Sequence, residues 1–329
     1  MQTQFTRDAG VEVPLLCGAM YPCGNPELVA AVSEAGALGV VQPISFAYVH
    51  SGSLATGLAK VRELTQKPIA FNAIVEKASK KYERVMRGWI EEALDADIRF
   101  FVTALGNPRE VVRLVHAAGG VVYHDVTERR FAQKARDEGV DGLIAVNRRA
   151  GGHAGQRSAK ELFDELRDLE LPIVCAGGVG DEDGYVDMLQ LGYAGVQMGT
   201  RFIATPECKV HADYRQLIVD SEEDDIVLTK RLSGLDVAVI RRGSPQEMEA
   251  GEPGALLSWL LRQPKTKHIA RTLLALQSLR ALKRSSRAAV SQHGYKDVYQ
   301  AGKSVSGIHA IEPAADIVKR FQAAADRAS

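Results

Sequence analysis

Three stretches of the chain decide its fold: GLIAVNRRAGGHAG at 142–155, PIVCAGGVG at 172–180 and GVQMGTRF at 195–202. Each stretch begins with a short apolar run and ends in a segment that contains glycine. The segments between them place apolar residues at helical spacing. A short apolar strand followed by an amphipathic helix is the repeating unit of a parallel sheet. The three stretches therefore predict consecutive βα units whose strands end in glycine-containing loops.

The same alternation extends outward to both sides and predicts eight strands. They are Val13–Met20, Leu38–Pro43, Pro68–Val75, Ile98–Leu105, Val121–Val126, Gly142–Asn147, Pro172–Val179 and Gly195–Thr200. Several of these runs are apolar throughout, which is typical of strands buried on both faces. Eight βα pairs in about 200 residues favour a closed (β/α)8 TIM barrel over an open sheet, because closure removes both edge strands.

The composition limits the class of partner. Lys and Arg number 41 and so do Asp and Glu, while apolar residues are 46% of the 329-residue chain. A balanced charge gives no overall field for nucleic acid or for an anionic membrane. The apolar content also excludes a disordered chain. We therefore expect a small-molecule partner, with neither nucleic acid nor membrane, and a homodimer stays open.

The cysteines and the N-terminal residues predict a cytoplasmic protein. Cys17, Cys23, Cys175 and Cys208 lack the spacing of metal ligands and are interpreted as reduced thiols, so no metal is expected. Charged residues precede any long apolar run near the N-terminus, which does not fit a signal peptide.

A change of composition after the eighth strand predicts three segments. Residues 1–225 are expected to form the TIM barrel, 226–300 a helical lid or substrate domain, and 301–329 a segment that returns to the barrel. The stretch Pro253–Lys296 carries nine Lys or Arg and no acid. Its basic face is either a solvated helix surface or a lid that attracts anions.

The glycine loops after strands seven and eight predict a phosphate site. In a TIM barrel, ligands bind at the carboxyl ends of the strands, and these two loops commonly hold phosphate. Ala176, Gly177 and Gly178 follow strand seven, and Gly199 and Thr200 follow strand eight. Glycine lets backbone N–H groups approach phosphate oxygens, and Thr200 adds a hydroxyl.

His153 is the candidate catalytic residue. It lies in the loop after strand six among small residues, including Gly151, Gly152 and Gly155. An imidazole in this position can act as a general base or hold an anion. His124, on strand five beside Asp125, is a second titrating group, for which a structural hydrogen bond is the simpler interpretation. Asn72 and the backbone after strand one, at Ala19 and Met20, could bind an aromatic heterocycle.

Taken in order, these motifs resemble the nitronate monooxygenase family and its relatives, the type II flavin enoyl-acyl carrier protein reductases. The motifs are Gly18-Ala19-Met20, Phe71-Asn72, Ala150-Gly151-Gly152-His153-Ala154-Gly155, Ala176-Gly177-Gly178, Gln197-Met198-Gly199-Thr200-Arg201-Phe202 and Ala301-Gly302. The resemblance covers nearly the whole chain and is strongest over 140–205. It implies a TIM barrel that binds FMN non-covalently.

The resemblance also implies roles for individual residues. It implies that His153 is catalytic. It also implies that the FMN ring and ribityl chain are contacted by Ala19, Met20, Asn72 and Gly151. It assigns the FMN phosphate to Ala176, Gly177, Gly178, Gly199 and Thr200. Relatives often carry Lys where this chain has Asp125, which removes a cation near the flavin. The first-strand motif also departs from the family pattern, because this chain has Cys17-Gly18-Ala19 where relatives commonly show a Gln-Gly-Gly type of run.

Two activities follow from the resemblance. The first is a nitronate monooxygenase, in which one-electron transfer from an alkyl nitronate to FMN and attack by O₂ produce a carbonyl compound and nitrite. The alternative is an NAD(P)H-dependent flavin reductase of enoyl thioesters or quinones. A phosphate-ligand binding protein without catalysis is disfavoured, because a binder has no use for His153 beside a flavin.

Overall fold

Eight parallel strands close into a barrel in chain order. We describe the computed structural model of the chain over residues 1–75, 80–229, 237–241 and 299–328. The barrel strands are β1 Leu15–Cys17, β2 Leu38–Val41, β3 Ile69–Ile74, β4 Phe100–Ala104, β5 Val121–Val126, β6 Gly142–Val146, β7 Ile173–Ala176 and β8 Gly195–Met198. Leu16 of β1 pairs with Gln197 of β8 and closes the ring. The predicted TIM barrel and its eight strands are confirmed.

Helices follow the strands and cover the outside of the barrel. The α-helices are α1 Gln4–Ala9, α2 Pro26–Glu34, α3 Pro43–Ser45, α4 Leu54–Leu64, α5 Lys80–Asp95, α6 Arg109–Ala117, α7 Arg129–Asp137, α8 Ala159–Leu166, α9 Glu182–Leu191, α10 Thr200–Ile203, α11 Ala212–Val219 and α12 Ala314–Ala328. Single turns of 3₁₀ or π helix are Phe46–His50, Arg167–Leu169, Glu223–Asp225 and Lys303–Gly307. None of the helices in these described ranges is long and apolar enough to cross a membrane.

The barrel interior is a packed core rather than a channel. Alternate strand residues point inward, and Val102, Tyr123 and Ile144 belong to this interior cluster. Phe5 of α1 closes the amino-terminal end, where its ring lies 5.7 Å from the ring of Phe100. A closed lower end leaves the carboxyl ends of the strands as the place for a ligand.

A small antiparallel sheet lies beside the barrel. Its strands, in the order β11, β10, β9, are β9 Ile226–Thr229, β10 Val237–Ile240 and β11 Tyr299–Gln300. These residues stand at the two ends of the predicted helical domain, and they form strands because their apolar, β-branched side chains suit a sheet. The basic stretch Pro253–Lys296 lies outside the described residues, so the three-segment division and the lid stay predictions.

The C-terminal helix α12 packs against the barrel's outer layer. The Phe321 ring of this helix lies 5.2 Å from the Tyr185 ring of α9. Arg201 is 2% exposed and forms an ion pair with Glu312 at 2.9 Å. Since an unpaired buried guanidinium is costly, this pair ties the segment before α12 to the loop after β8.

Candidate active site

The candidate residues lie at the carboxyl-terminal end of the barrel. Asn72 on β3 is 5% exposed, and its side-chain nitrogen donates to the Val102 carbonyl at 3.3 Å. Ala176, at the end of β7, packs with the barrel interior together with the partly buried Ala19. The inward strand positions at this end therefore combine small apolar side chains with the Asn72 amide, a surface that suits a flat heterocycle.

Asn147 holds the loop after β6 against the loop after β7. Its side-chain nitrogen donates to the Gly177 carbonyl at 2.8 Å, and its side-chain oxygen accepts from the Arg149 N–H at 2.8 Å. The Asn147 N–H also donates to the Ala176 carbonyl at 3.0 Å. Asn147 is fully buried, so its hydrogen bonds position both loops.

The backbone conformation and the close packing at the two glycines after β7 leave no room for a side chain. Gly177 and Gly178 have φ angles of 111° and 83°, which side chains strongly disfavour. A Cβ atom on Gly177 would lie 2.6 Å from the Ala150 nitrogen, and one on Gly178 would lie 2.7 Å from the Arg149 Nε. The loops therefore pack backbone to backbone, with the Arg149 side chain over Gly178.

The loop after β8 meets two distant parts of the chain. A Cβ atom on Gly199 would lie 3.2 Å from the Met20 sulfur, which places the first-strand loop beside this glycine. The Thr200 hydroxyl oxygen accepts from the Gly302 N–H at 3.0 Å. A Cβ on Gly302 would lie 2.6 Å from the Gly151 nitrogen. Residues from four separate motifs thus converge on one place.

The glycine loops fit a phosphate group. Within the described part of the chain, the backbone N–H groups of Gly177, Gly178 and Gly199 donate no hydrogen bond. The Thr200 hydroxyl, which accepts from Gly302, keeps its own hydrogen to donate. Backbone N–H groups free to donate, in the loops after two adjacent strands and with the Arg149 side chain over Gly178, suit a phosphate dianion.

His153 follows a turn with left-handed backbone at Gly152, at the rim of this end. Gly152 has a φ of 67°, and its carbonyl accepts from the Ala238 N–H of β10 at 2.9 Å. His153 is exposed, and the Ala154 N–H donates back to Gly152 at 3.1 Å. The small sheet therefore supports the His153 loop from outside the barrel.

A cluster of charged residues beside the glycine loops was not predicted from the sequence. Glu223 forms ion pairs with Arg149 at 2.7 Å and with Lys303 at 3.2 Å. These contacts lower the pKa of Glu223, although its burial opposes them. The Lys303 N–H also donates to the Arg149 carbonyl at 2.9 Å. Arg148-Arg149 and the acidic run Asp220–Asp225 are present in the sequence, but nothing there indicates that they meet.

His124 and the cysteines are buried, in surroundings that indicate a structural role. His124 is 4% exposed, and a hydrogen bond of 2.8 Å joins its Nδ1 to the Thr103 hydroxyl. The structural hydrogen bond expected for it is present. The four cysteines are buried free thiols, and the described residues contain no cluster of metal-ligating side chains. Burial raises the pKa of Cys175 to about 12, so this thiol stays protonated.

A comparison with family models identifies the family of the chain. A model of the nitronate monooxygenase family matches residues 3–323. The chain belongs to this family. Nitronate monooxygenases are oxidoreductases, and the family and its structural neighbours use flavin. The predicted family membership is confirmed.

Individual relatives of this nitronate monooxygenase family member differ in activity. A nitronate monooxygenase from Pseudomonas aeruginosa is 28% identical over 301 residues, which cover 77% of this chain and 83% of the relative. A (3aS,4S,5R,7aS)-5-hydroxy-7a-methyl-1-oxo-octahydro-1H-indene-4-carboxyl-CoA dehydrogenase from Rhodococcus jostii is 27% identical over 250 residues, covering 76% of this chain and 68% of the relative. The solved structure of FabK from Thermotoga maritima superposes with a TM-score of 0.79 at 26% identity, over 99% of this chain and 97% of FabK.

Proposed function

We propose that the protein is an FMN-dependent nitronate monooxygenase, which oxidises alkyl nitronates with O₂ to a carbonyl compound and nitrite. One observation carries this proposal: the His153 loop lies beside two glycine loops whose N–H groups donate no hydrogen bond to the described residues and would be open to a phosphate. The family match adds the flavin chemistry. When bound, FMN would supply electron transfer from the substrate and reaction with O₂.

The proposed FMN-binding residues form two groups, one that would hold the phosphate and one that would contact the ring and ribityl chain. Ala176, Gly177, Gly178, Gly199 and Thr200 would hold the FMN phosphate, with Arg149 contributing charge. Ala19, Met20, Asn72 and Gly151 would contact the ring and ribityl chain. The proximity of Met20 to Gly199 and of Gly151 to Gly302 supports this division, because it brings loops of both groups together at one end of the barrel.

His153 would act on the substrate. Its loop is open to solvent, so a small anion can reach the imidazole. A protonated imidazole would hold the nitronate oxygens, whereas a neutral one would remove the α-proton of a nitroalkane. Either role keeps a small-molecule substrate as the partner, in a cytoplasmic enzyme without nucleic acid or membrane partners; a homodimer stays open.

A second candidate function is an NAD(P)H-dependent reductase of enoyl thioesters or quinones. The likeness to a carboxyl-CoA dehydrogenase and to FabK favours it, because each is as similar to this chain as the nitronate monooxygenase is. The same barrel end and the same FMN contacts would serve this reaction. The two functions differ in the electron donor, which is an alkyl nitronate in the first and NADH or NADPH in the second.

Anaerobic titration of the purified protein tests both. We expect an absorbance spectrum of bound flavin with about one FMN per chain, since the two glycine loops can hold one terminal phosphate. An alkyl nitronate should bleach this absorbance, and readmission of O₂ should release nitrite and carbonyl compound in equal amounts. Bleaching by NADH or NADPH but not by nitronate would establish the reductase. A protein that binds no flavin would contradict both functions.

A further inference from the structure

Asp125 lies on the inner face of the barrel wall near its carboxyl end. Strand residues alternate between the two faces, and Tyr123, two positions earlier on β5, belongs to the interior cluster. Asp125 is paired in register with Ile144 of β6, which also points inward. The carboxyl group therefore stands one layer above the apolar core, at the level where Asn72 lies on β3.

One oxygen of this carboxyl group has no partner. The Oδ1 atom of Asp125 is buried and makes no hydrogen bond to any described residue. The residue as a whole is only half-buried, so part of it faces the open end of the barrel. A buried carboxylate oxygen without a hydrogen bond is unfavourable, which points to a proton or a ligand at this group.

Among the described residues, the groups packed around Asp125 offer no charge to balance it. From β4, Val102 and Ala104 face this part of the wall, and from β6 Ile144 and Val146 do so; none titrates. On β5 itself, the Tyr123 hydroxyl donates away from the site to Asp8 at 2.8 Å.

His124, the remaining titratable neighbour, turns outward to Thr103. Burial is consequently the cause that raises the pKa of Asp125 to about 7.

We propose that Asp125 is a charge-compensating residue of the flavin site, which binds a proton when negative charge enters the site and releases it when that charge leaves. The inference rests on the proposed FMN binding. When electrons enter bound flavin, a proton from water would join the Asp125 carboxylate to give the neutral acid. Reoxidation by O₂ returns that proton to water.

The chemistry of the position supports a switch rather than a fixed charge. A lysine ammonium group at such a position would balance negative charge permanently. A carboxyl group balances it only by gaining a proton, so its effect depends on pH. Asp125 therefore stabilises the reduced site in a way that weakens as the pH rises above the pKa of its carboxyl group.

Proton uptake during reduction tests this inference. The FMN-loaded protein is reduced electrochemically between pH 5.5 and 9, and the pH dependence of the midpoint potential gives the protons bound per two electrons. Above pH 7 we expect the wild type to bind about one proton more than Asp125→Asn, since only the wild type can protonate this group. Asp164→Asn, which removes a surface carboxylate paired with Lys160, should match the wild type.

A second measurement needs no variant. Infrared difference spectra of the wild type, reduced minus oxidised, should show the carbonyl stretch of a newly protonated carboxyl group, and ¹³C-aspartate labelling should shift it. Equal proton uptake by wild type and Asp125→Asn, or the lack of this band above pH 7, overturns the inference while leaving FMN binding intact. A protein that binds no FMN overturns the inference together with the proposed function.

Discussion

His124 and Asp125 are neighbours on β5, yet they face opposite sides of the barrel wall. The imidazole hydrogen-bonds outward to Thr103, whereas the carboxyl group points into the barrel, in register with Ile144. Burial favours the uncharged form of each group. It lowers the pKa of His124 to about 4 and raises the pKa of Asp125 to about 7.

These two residues should make opposite contributions to the pH dependence of stability. The depressed pKa of His124 stabilises the fold fully above pH 6.5, and this contribution is lost as the pH falls toward 4. The raised pKa of Asp125 stabilises the fold below pH 3.8, and this contribution is lost as the pH rises through 7. Over the shared window each contribution changes by about 3 kcal/mol at most, so the two nearly cancel.

Urea unfolding of the flavin-free protein between pH 4.5 and 6.5 measures both contributions. Relative to the wild type, Asp125→Asn should gain unfolding free energy as the pH rises, and His124→Asn should lose it. The double variant should follow the wild type within about 1 kcal/mol. Parallel profiles for all four proteins would show that neither group changes its protonation on unfolding.

Gly178→Ala should weaken FMN binding. The left-handed backbone at this residue costs a side chain about 1–3 kcal/mol, and the new Cβ would meet Arg149 at less than 3 Å. The loop must shift and displace its N–H group. We expect the FMN dissociation constant to rise at least about tenfold, which corresponds to about 1.4 kcal/mol.

Two other glycines provide controls for Gly178→Ala. Gly88 lies within α5 with nothing near a new Cβ, so Gly88→Ala should stabilise the fold by about 0.5–1 kcal/mol. Gly119 has a φ of 72° in open space, so Gly119→Ala should lower stability but leave FMN affinity unchanged. If Gly178→Ala bound FMN as well as these controls do, the phosphate assignment of the loop would be wrong.

The barrel was predictable because its signal is local. Each strand combines an apolar run with a neighbouring helical period, and all eight predicted strands overlap observed ones. Their ends were less predictable: Val13–Met20 narrows to Leu15–Cys17, since apolar residues continue into the glycine loop where strand pairing stops. The strands at 226–229 and 237–240 were missed because the acidic and basic runs around them dominate the composition.

The site was predictable only where a motif carries it. The glycine loops and His153 stand in recognisable runs, whereas the ion pairs of Glu223 with Arg149 and Lys303 join residues far apart in the chain. Asn147 was noted only as a strand end, although it holds two loops together. Contacts of this kind produce no periodic pattern in a single sequence, so they can be identified only in the folded structure.

Phe5→Ala should destabilise the barrel from its closed end. The Phe5 ring is fully buried between Phe100 and Tyr123, so truncation leaves a cavity in the interior cluster. We expect a loss of about 3–5 kcal/mol in unfolding free energy, measured by urea denaturation. Phe131→Ala, which removes a ring that is 40% exposed, should cost less than about 1 kcal/mol. Equal losses would mean that α1 does not close the barrel.

His153→Ala and His153→Asn should keep FMN but lose turnover. The proposed FMN contacts come from other residues, so the absorbance of bound flavin and the FMN dissociation constant should stay at the wild-type level. Acid or base assistance is typically worth about 10²–10⁴-fold, and we expect kcat/KM to fall within that range. Stopped-flow reduction and steady-state O₂ uptake measure the loss with each substrate.

The substrate pair distinguishes the two roles of His153. A neutral nitroalkane requires loss of its α-proton, whereas a preformed nitronate has already lost it. A larger loss for the nitroalkane would identify His153 as a general base, because only that substrate needs proton removal. Equal losses would identify an anion-holding role, since the nitro oxygens must then be held in both reactions. If His153→Ala retained wild-type kcat/KM on both substrates, the imidazole would have neither role, and catalysis would depend on the flavin environment alone.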